Sequence, residues 1–371
     1  MRFKRLELWW RKRWIRILVR LMRRPGAGER PNWGTQRHRV LFLRHDRAGD
    51  MIVSTGVMRA IARSHPTIEM DVLASPANAA ILDGAPYVHE VIVFNRKKLS
   101  QYVATLRRLR RARYDAVIDC MVTAPSVTTL LLILASGARF RIGIAGRGND
   151  AAFNVTVPAD DRPNAHMVDL LSALAAAFEV EGRAIERRPT LEVNDVERAR
   201  ALQAWGPSDE VRRVLVNISA GSAERVWPES SYASVIGRVR ARDSRAVVRI
   251  IAAPNEQERA RSIADASGAT VVQTPSIRDA FALVATADLV VTPDTSITHA
   301  ASAFRTTAVV LFVKGKAERW GLYDTPGANV EHTEGMLATL PVERVLLALD
   351  EQLDRPLERS HIGNASLGQS R

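Results

Sequence analysis

Three short stretches of this chain combine residue types that could hold an anion or move a proton. The most informative is Asp288-Leu-Val-Val-Thr-Pro-Asp-Thr-Ser-Ile-Thr-His299. Leu289 to Val291 reads as a buried strand, Pro293 as its stop, and Asp294, Thr295 and Ser296 as capping oxygens for a helix from near Ile297 to about Phe304. Such a strand–turn–helix unit offers backbone N–H groups at the carboxyl edge of a sheet, where open α/β folds bind phosphorylated ligands. His299, one turn into that helix, could donate to a phosphate oxygen or bond a neighbouring carbonyl. The second stretch, Ser219-Ala-Gly-Ser222, is small enough for its backbone to approach a phosphate, and Arg225 follows within reach of a diphosphate. It is neither a P-loop nor a dinucleotide fingerprint, because the Gly-Lys-Ser/Thr and Gly-x-Gly-x-x-Gly spacings are missing. The third, Gly49-Asp50, puts a carboxylate where a helix begins after the first strand. Helix capping alone would account equally well for Asp50 and Asp294, and Arg225 alone would be an ordinary surface charge.

The elements that must position these residues alternate regularly. Strands fit Arg39 to Leu43, Met70 to Leu73, Val91 to Phe94, Ala116 to Asp119 and Arg139 to Ile144, with a helix from Met51 to about Ser64 and others between. A second series starts with a helix over Asp195 to Trp205. It continues with strands at 211–218, 247–252, 270–273, 289–291 and 307–313 and helices at 231–242, 256–267, 277–286 and 342–353. This βαβ order predicts two doubly wound α/β domains facing a central cleft, at 39–190 and 191–350, and 371 residues suit two such cores. The single cysteine, Cys120, excludes an internal disulfide and fits a reducing compartment, and its apolar setting predicts a buried structural thiol. The apolar run Leu130 to Leu134 is far short of the roughly 20 residues that span a bilayer. No Asp-x-Asp or His/Cys cluster has ligand spacing, so no metal is expected.

The ends differ from this core. Residues 1–24 carry ten Lys/Arg against Glu7, which is +9 of the chain's net +13. On a helix, Leu6, Trp10, Trp14, Ile17 and Leu21 share one side and Arg5, Lys12, Arg16, Arg20 and Arg23 another. A basic helix with aromatic and aliphatic residues opposite suits an anionic membrane surface. The rivals are nucleic acid and a solvated arm packed on the protein itself. No RNA-binding module accompanies the arm, so nucleic acid is not expected as a partner. Arg16 and Arg20 break every apolar run, which excludes a signal peptide. Residues 25–38, with Pro25, Gly26, Gly28, Pro31 and Gly34, read as a linker, and 351–371 as a polar tail.

Taken together, Arg44-His-Asp-Arg-Ala-Gly-Asp50, Ser219-Ala-Gly-Ser with Arg225-Val-Trp-Pro228, Asp294-Thr-Ser-Ile-Thr-His299 and Arg319-Trp-Gly321 resemble glycosyltransferase family 9, the ADP-heptose:lipopolysaccharide heptosyltransferases. The resemblance runs from about residue 39 to 350. It implies a GT-B fold of two Rossmann-like domains, with a C-terminal helix able to cross back to the first domain. It implies Asp50 as catalytic base, Arg225 in the place of the usual Lys, and Arg44 on the acceptor side. Donor-binding roles fall to Ser219, Gly221, Ser222, Asp294, Thr295, Ser296 and His299, with Glu256 against the nucleotide ribose. The expected chemistry is inverting transfer of a sugar from a nucleotide donor, ADP-heptose, to a lipid-linked glycan, with no cofactor. The expected location is the inner face of the cytoplasmic membrane. A non-catalytic sugar-nucleotide-binding or assembly protein is the alternative. Ser296 stands where the family's commonest turn has glycine, and Val313-Lys314 departs from its Phe-Gly-Pro, so the donor is the least determined part.

Overall fold

Short aliphatic and β-branched runs separated by helical segments are the pattern of parallel strands buried on both faces. The computed structural model describes residues 13–15, 17–20, 22, 32–121, 126–146, 152–158, 162, 164–182, 185–207 and 211–356. The chain divides into two units, Met1–Glu192 and Val193–Arg371.

The first unit holds β1 (His38–Arg44), β2 (Ile68–Ala74), β3 (Glu90–Val93), β4 (Ala116–Asp119), β5 (Phe140–Ile144) and β6 (Val155–Val157). They form one parallel sheet in the order β3-β2-β1-β4-β5-β6. The second unit holds β7 (Arg213–Asn217), β8 (Val247–Ile251), β9 (Thr270–Val271), β10 (Leu289–Pro293), β11 (Ala308–Phe312) and β12 (Gly327–Glu331). Their order, β12-β11-β10-β7-β8-β9, is the same winding seen from the other side, again all parallel. Both sheets are therefore doubly wound and Rossmann-like. In each, the chain reverses direction of travel between the first and fourth strands, β1/β4 and β7/β10, and ligands bind outside the carboxyl ends of such a pair.

Several expected bounds shift for identifiable reasons. The helix Ala48–Ser64 starts ahead of Met51, with Arg47 at its N-cap, so Asp50 sits inside the first turn and is not the cap residue. Pro293 is the last residue of β10 and does not stop the strand before it. The ladder continues through the Asp294 N–H, which bonds the Leu311 carbonyl at 3.0 Å. The cap of the following helix, Ser296–Phe304, is Thr295 and not Asp294. Two edge strands, β6 and β12, carried too weak a pattern to read: one has three residues, and the other begins Gly-Ala-Asn. The helix Val342–Leu353 has its expected bounds but packs on the helix Glu229–Arg242 of its own unit, where Arg238 Nη1 donates to Asp350 Oδ2 at 2.6 Å. Residues 357–371 of the tail lie outside the described residues.

The arm and linker are also more rooted than their composition suggested. Residues 1–12, 16, 21, 23 and 24 of the arm and 25–31 of the linker lie outside the described residues. Residues 13–15, 17–20 and 22 are helical. Leu18 and Met22 are buried with Leu41, Leu43, Leu73 and Val117 of the first sheet, and Ile15 and Val19 pack beside them. Of the side expected to be apolar, Trp14 is 52% and Ile17 40% exposed, and Leu6, Trp10 and Leu21 lie outside the described residues. In the linker, Trp33 is fully buried, its ring 4.5 Å from that of Phe178 and its indole N–H donating to the Ala177 carbonyl at 3.1 Å. Trp33→Ala should therefore lower unfolding free energy by about 3–5 kcal/mol. Urea denaturation checks this, and a wild-type midpoint would mean that Trp33 is not part of the core.

Candidate active site

In the first unit the corner beyond β1 and β4 is built on one cation. Arg44 ends β1 with its side chain wholly buried. Its Nε donates to the Asp50 carbonyl at 2.8 Å, its Nη1 donates to the Cys120 carbonyl, and its Nη2 lies 3.5 Å from Asp50 Oδ1. Asp46 Oδ2 is 3.4 Å from Nη1. A single guanidinium thus joins the end of β1, the segment after β4 and the first turn of Ala48–Ser64. The intervening loop is fixed from the other side by Asn78. Its amide donates to the Arg44 carbonyl at 3.0 Å and accepts from the Ser75 N–H at 2.7 Å, while Ser75 Oγ donates to the Asp46 carbonyl at 3.1 Å.

This setting tunes Asp50. Burial raises its pKa above the ordinary carboxylate value, Arg44 opposes the rise, and Asp46 adds to it. A hydrogen bond from the Arg47 backbone lowers it somewhat and gives Asp50 a share in starting the helix. The carboxylate keeps 19% of its side-chain surface, so a hydroxyl can reach it. Asp119, fully buried at the end of β4, is pushed up to about 7 by burial, with the Met121 N–H on Oδ1 at 2.9 Å pulling the other way. His45 is held neutral by burial, its pKa down to about 4. Burial pushes the Cys120 thiol up to about 12, which makes it inert, as its sequence setting implied.

Arg44, read from the resemblance as an acceptor-side residue, lies beneath the corner with its donors on protein oxygens. The sequence signal for this was its position: a cation closing an otherwise apolar strand has to find internal partners.

In the second unit the matching position, the last residue of β7, is Asn217. Its amide donates to Thr292 Oγ1 at 2.9 Å and Thr295 Oγ1 at 3.2 Å and accepts from the Ser219 N–H at 3.1 Å. Asn217 was not singled out in the sequence, although a buried amide closing a strand is the available clue. Ser219 Oγ then accepts from the Ala253 N–H at 2.7 Å, which brings the 253–256 turn beside the 219–222 turn. Gly221 has φ +66, the left-handed region that favours glycine, and Gly221 and Ser222 are exposed. Arg225 Nη1 donates to the Asp294 carbonyl and Nη2 lies 3.2 Å from Asp294 Oδ2. Thr295 caps the helix by accepting from the Ile297 N–H at 3.3 Å, with Ser296 half-buried beside it. His299 is buried against Trp320, ring centroids 5.9 Å apart, which connects the Arg319-Trp-Gly321 motif to this corner. Glu256 is held by Arg259 at 3.1 Å, and Arg259 also donates to the Trp227 carbonyl at 3.0 Å. The corner thus gathers Ser219, Arg225, Asp294 and Thr295, with Glu256 on the adjoining turn. A helix N-terminus, small turns and one partly exposed cation are what a diphosphate requires.

Two Rossmann-like units, each with a polar corner where its sheet reverses, define an α/β protein of the GT-B type. The family model for glycosyltransferase family 9 (heptosyltransferase) matches residues 102–344, and the chain belongs to that family. It is a glycosyltransferase. Similar solved structures include a glycosyl transferase family 9 protein from Veillonella parvula, at 16% identity over 87% of this chain and 99% of that one, TM-score 0.76. The ADP-heptose LPS heptosyltransferase II of E. coli is 20% identical over 85% and 98%, TM-score 0.68. E. coli heptosyltransferase WaaC, solved with ADP, is 20% identical over 85% and 99%, TM-score 0.67. No curated protein matches the chain by sequence.

The closed corner of the first unit has a direct check. Cys120, the only cysteine and fully buried, should react with a thiol reagent only as fast as the protein unfolds. Rapid labelling of the native protein would mean that the contact between Arg44 and the Cys120 carbonyl is open.

Proposed function

We propose that this glycosyltransferase moves a heptose from ADP-heptose onto a lipid-linked glycan acceptor of the lipopolysaccharide core, with inversion at the anomeric carbon. The observation that carries the proposal is the Asp50 carboxylate, with its pKa raised by burial and its geometry set by Arg44 at the carboxyl edge of a Rossmann sheet. That is the position and tuning of a general base. The names of the E. coli relatives support the donor, and the anion-binding corner of the second unit supports a nucleotide diphosphate.

In this reaction the acceptor hydroxyl gives its proton to Asp50 while its oxygen attacks the anomeric carbon of the donor. The bond from that carbon to the β-phosphate oxygen breaks, and ADP leaves carrying the electron pair. Charge grows on the diphosphate as it departs. Arg225 and the N-terminus opened by Thr295 stabilise it in preference to the ground state, without a metal ion. Asp294 keeps Arg225 oriented in the meantime, and Glu256 takes a ribose hydroxyl. His299 donates to the donor, and Ser219, Gly221 and Ser222 offer backbone N–H groups. The division of labour is base on the first unit and donor on the second.

We also propose that the arm holds the enzyme at the inner face of the cytoplasmic membrane. Its exposed Trp14 and Ile17 and its +9 charge support this, while Leu18 and Met22 root it in the first unit. Among the described residues no helix is long and apolar enough to cross a membrane.

Asp50→Asn and Arg225→Ala should fail in different ways. The first should lower kcat by about 10²-fold or more with ADP affinity kept, as for loss of a general base. The second should weaken ADP at least as much as intact donor, because the leaving group carries the greater charge. In the wild-type enzyme the acid limb of kcat/KM should lie above the ordinary carboxylate range, since Asp50 works ionised and its pKa is raised. Turnover assays with EDTA present and calorimetry with ADP decide this. Near-normal turnover of Asp50→Asn would reduce that residue to a helix-start role.

A further inference from the structure

The arm is not the only cationic segment. Residues 91–113 contain Arg96, Lys97, Lys98, Arg107, Arg108, Arg110, Arg111 and Arg113 and no acid, a charge of +8. With +9 in residues 1–24, these two segments exceed the net +13 of the whole chain, so everything else is net negative by 4. They are also neighbours in the fold. The helix Leu99–Ala112 turns Tyr102, Leu106, Leu109 and Ala112 into the same hydrophobic cluster that takes Ile15, Leu18, Val19 and Met22 of the arm. Among the described residues, the arm segment 13–22 and this helix therefore share one layer of the first unit.

The outward side of that helix has its own pattern. Leu99, Val103, Arg107 and Arg111 follow one another at intervals of four, a single stripe, and all are exposed, Leu99 by 77%. Val93, on the edge strand just before it, is 52% exposed. Arg108 is engaged by Glu90, and Arg110 packs over Gly137, where an added Cβ would meet its guanidinium. Arg107 and Arg111 have no such duties among the described residues. Exposed aliphatic residues in line with unopposed arginines serve no folding purpose in water. They suit an interface where apolar groups enter among acyl chains and guanidinium groups meet phosphate.

We propose that the Leu99-Val103-Arg107-Arg111 stripe of helix Leu99–Ala112, with Val93 and the 96–98 basic turn, is a second contact with anionic lipid headgroups, beside the arm. It rests on the membrane reading above and adds an independent element to it. Two anchoring elements fix orientation as well as proximity, because a single amphipathic helix leaves the body free to swivel. RNA would meet the same charges, but exposed Leu99, Val93 and Trp14 are aliphatic or widely spaced and form no run of stacking rings.

The test uses the full chain with vesicles of phosphatidylglycerol in phosphatidylcholine, vesicles of phosphatidylcholine alone, and a single-stranded RNA. Four proteins are compared: wild type, Arg107→Gln/Arg111→Gln, Leu99→Ser/Val103→Ser, and Trp14→Ser/Ile17→Ser. Both helix variants should keep the wild-type melting temperature and transfer to a short water-soluble acceptor. The arginine pair should lose affinity for anionic vesicles by about tenfold or more at low salt. The aliphatic pair should lose most of the binding that survives high salt. Wild-type vesicle affinity in both helix variants, with a loss only in the arm variant, would overturn the stripe and leave the arm as the anchor. Preference for RNA over vesicles would overturn the lipid assignment, and a wild-type chain that ignores anionic vesicles would remove the membrane reading altogether.

Discussion

A charged guanidinium with no surface left to water must have every donor answered inside the protein, and Arg44 is in that position. Desolvating such a cation costs several kcal/mol unless hydrogen bonds and opposite charge return it. The first unit meets this need by bringing the Asp50 and Cys120 carbonyls and the Asp46 and Asp50 carboxylates around it. Those groups come from the loop after β1, the first turn of Ala48–Ser64 and the segment after β4. The cation's requirement is therefore also what fixes the relation of β1, β4 and the first turn of Ala48–Ser64. Asp50 is placed by the same contacts. Burial alone would drive Asp50 toward the neutral acid, while Arg44 holds the carboxylate within a useful range and points it.

The second unit solves the same geometric problem without charge. Asn217 occupies the strand-end position that Arg44 occupies in the first unit, and it too reaches the neighbouring strand and the cap of the next helix. A neutral amide leaves the local potential to the helix N-terminus and Arg225, which favours an anion. A buried cation flanked by carboxylates makes the first corner a charged network instead. One winding order thus carries two electrostatic settings, because the residue closing the first strand differs. The hydroxyl of Thr295 shows how economical the second corner is: it caps the helix and accepts from Asn217.

Much of this was legible in the sequence because it depends on local pattern. The strand Ala116–Asp119 and the helices Asp195–Trp205, Ile277–Thr286 and Val342–Leu353 have the bounds that periodicity and turn residues implied. What was not legible depends on partners distant in the chain. Asp294 looked like a cap until Arg225, 69 residues earlier, was seen to pair with it and Thr295 to cap instead. Nothing local shows that the partners of Arg44 are a carbonyl beyond β4 and the carboxylates of the next turn. Trp33 sat in a run of glycines and prolines that reads as linker, and its burial depends on Phe178 and Ala177 far along the chain. The basic segment 91–113 was hidden for a different reason. Half of its +8 is offset in the total by the remainder, net −4, so the chain outside the arm counts as only +4.

Arg44 orients Asp50 and opposes the burial that raises its pKa, and the pH dependence of kcat/KM in Arg44→Gln tests this most directly. Arg44 lowers the Asp50 pKa, so its neutral replacement should move the acid limb to higher pH than in the wild-type enzyme. The maximal rate should also fall, by about tenfold or more, because the carboxylate loses its orienting partner. An acid limb unmoved from that of the wild type, in a variant that still folds and binds ADP, would contradict the account.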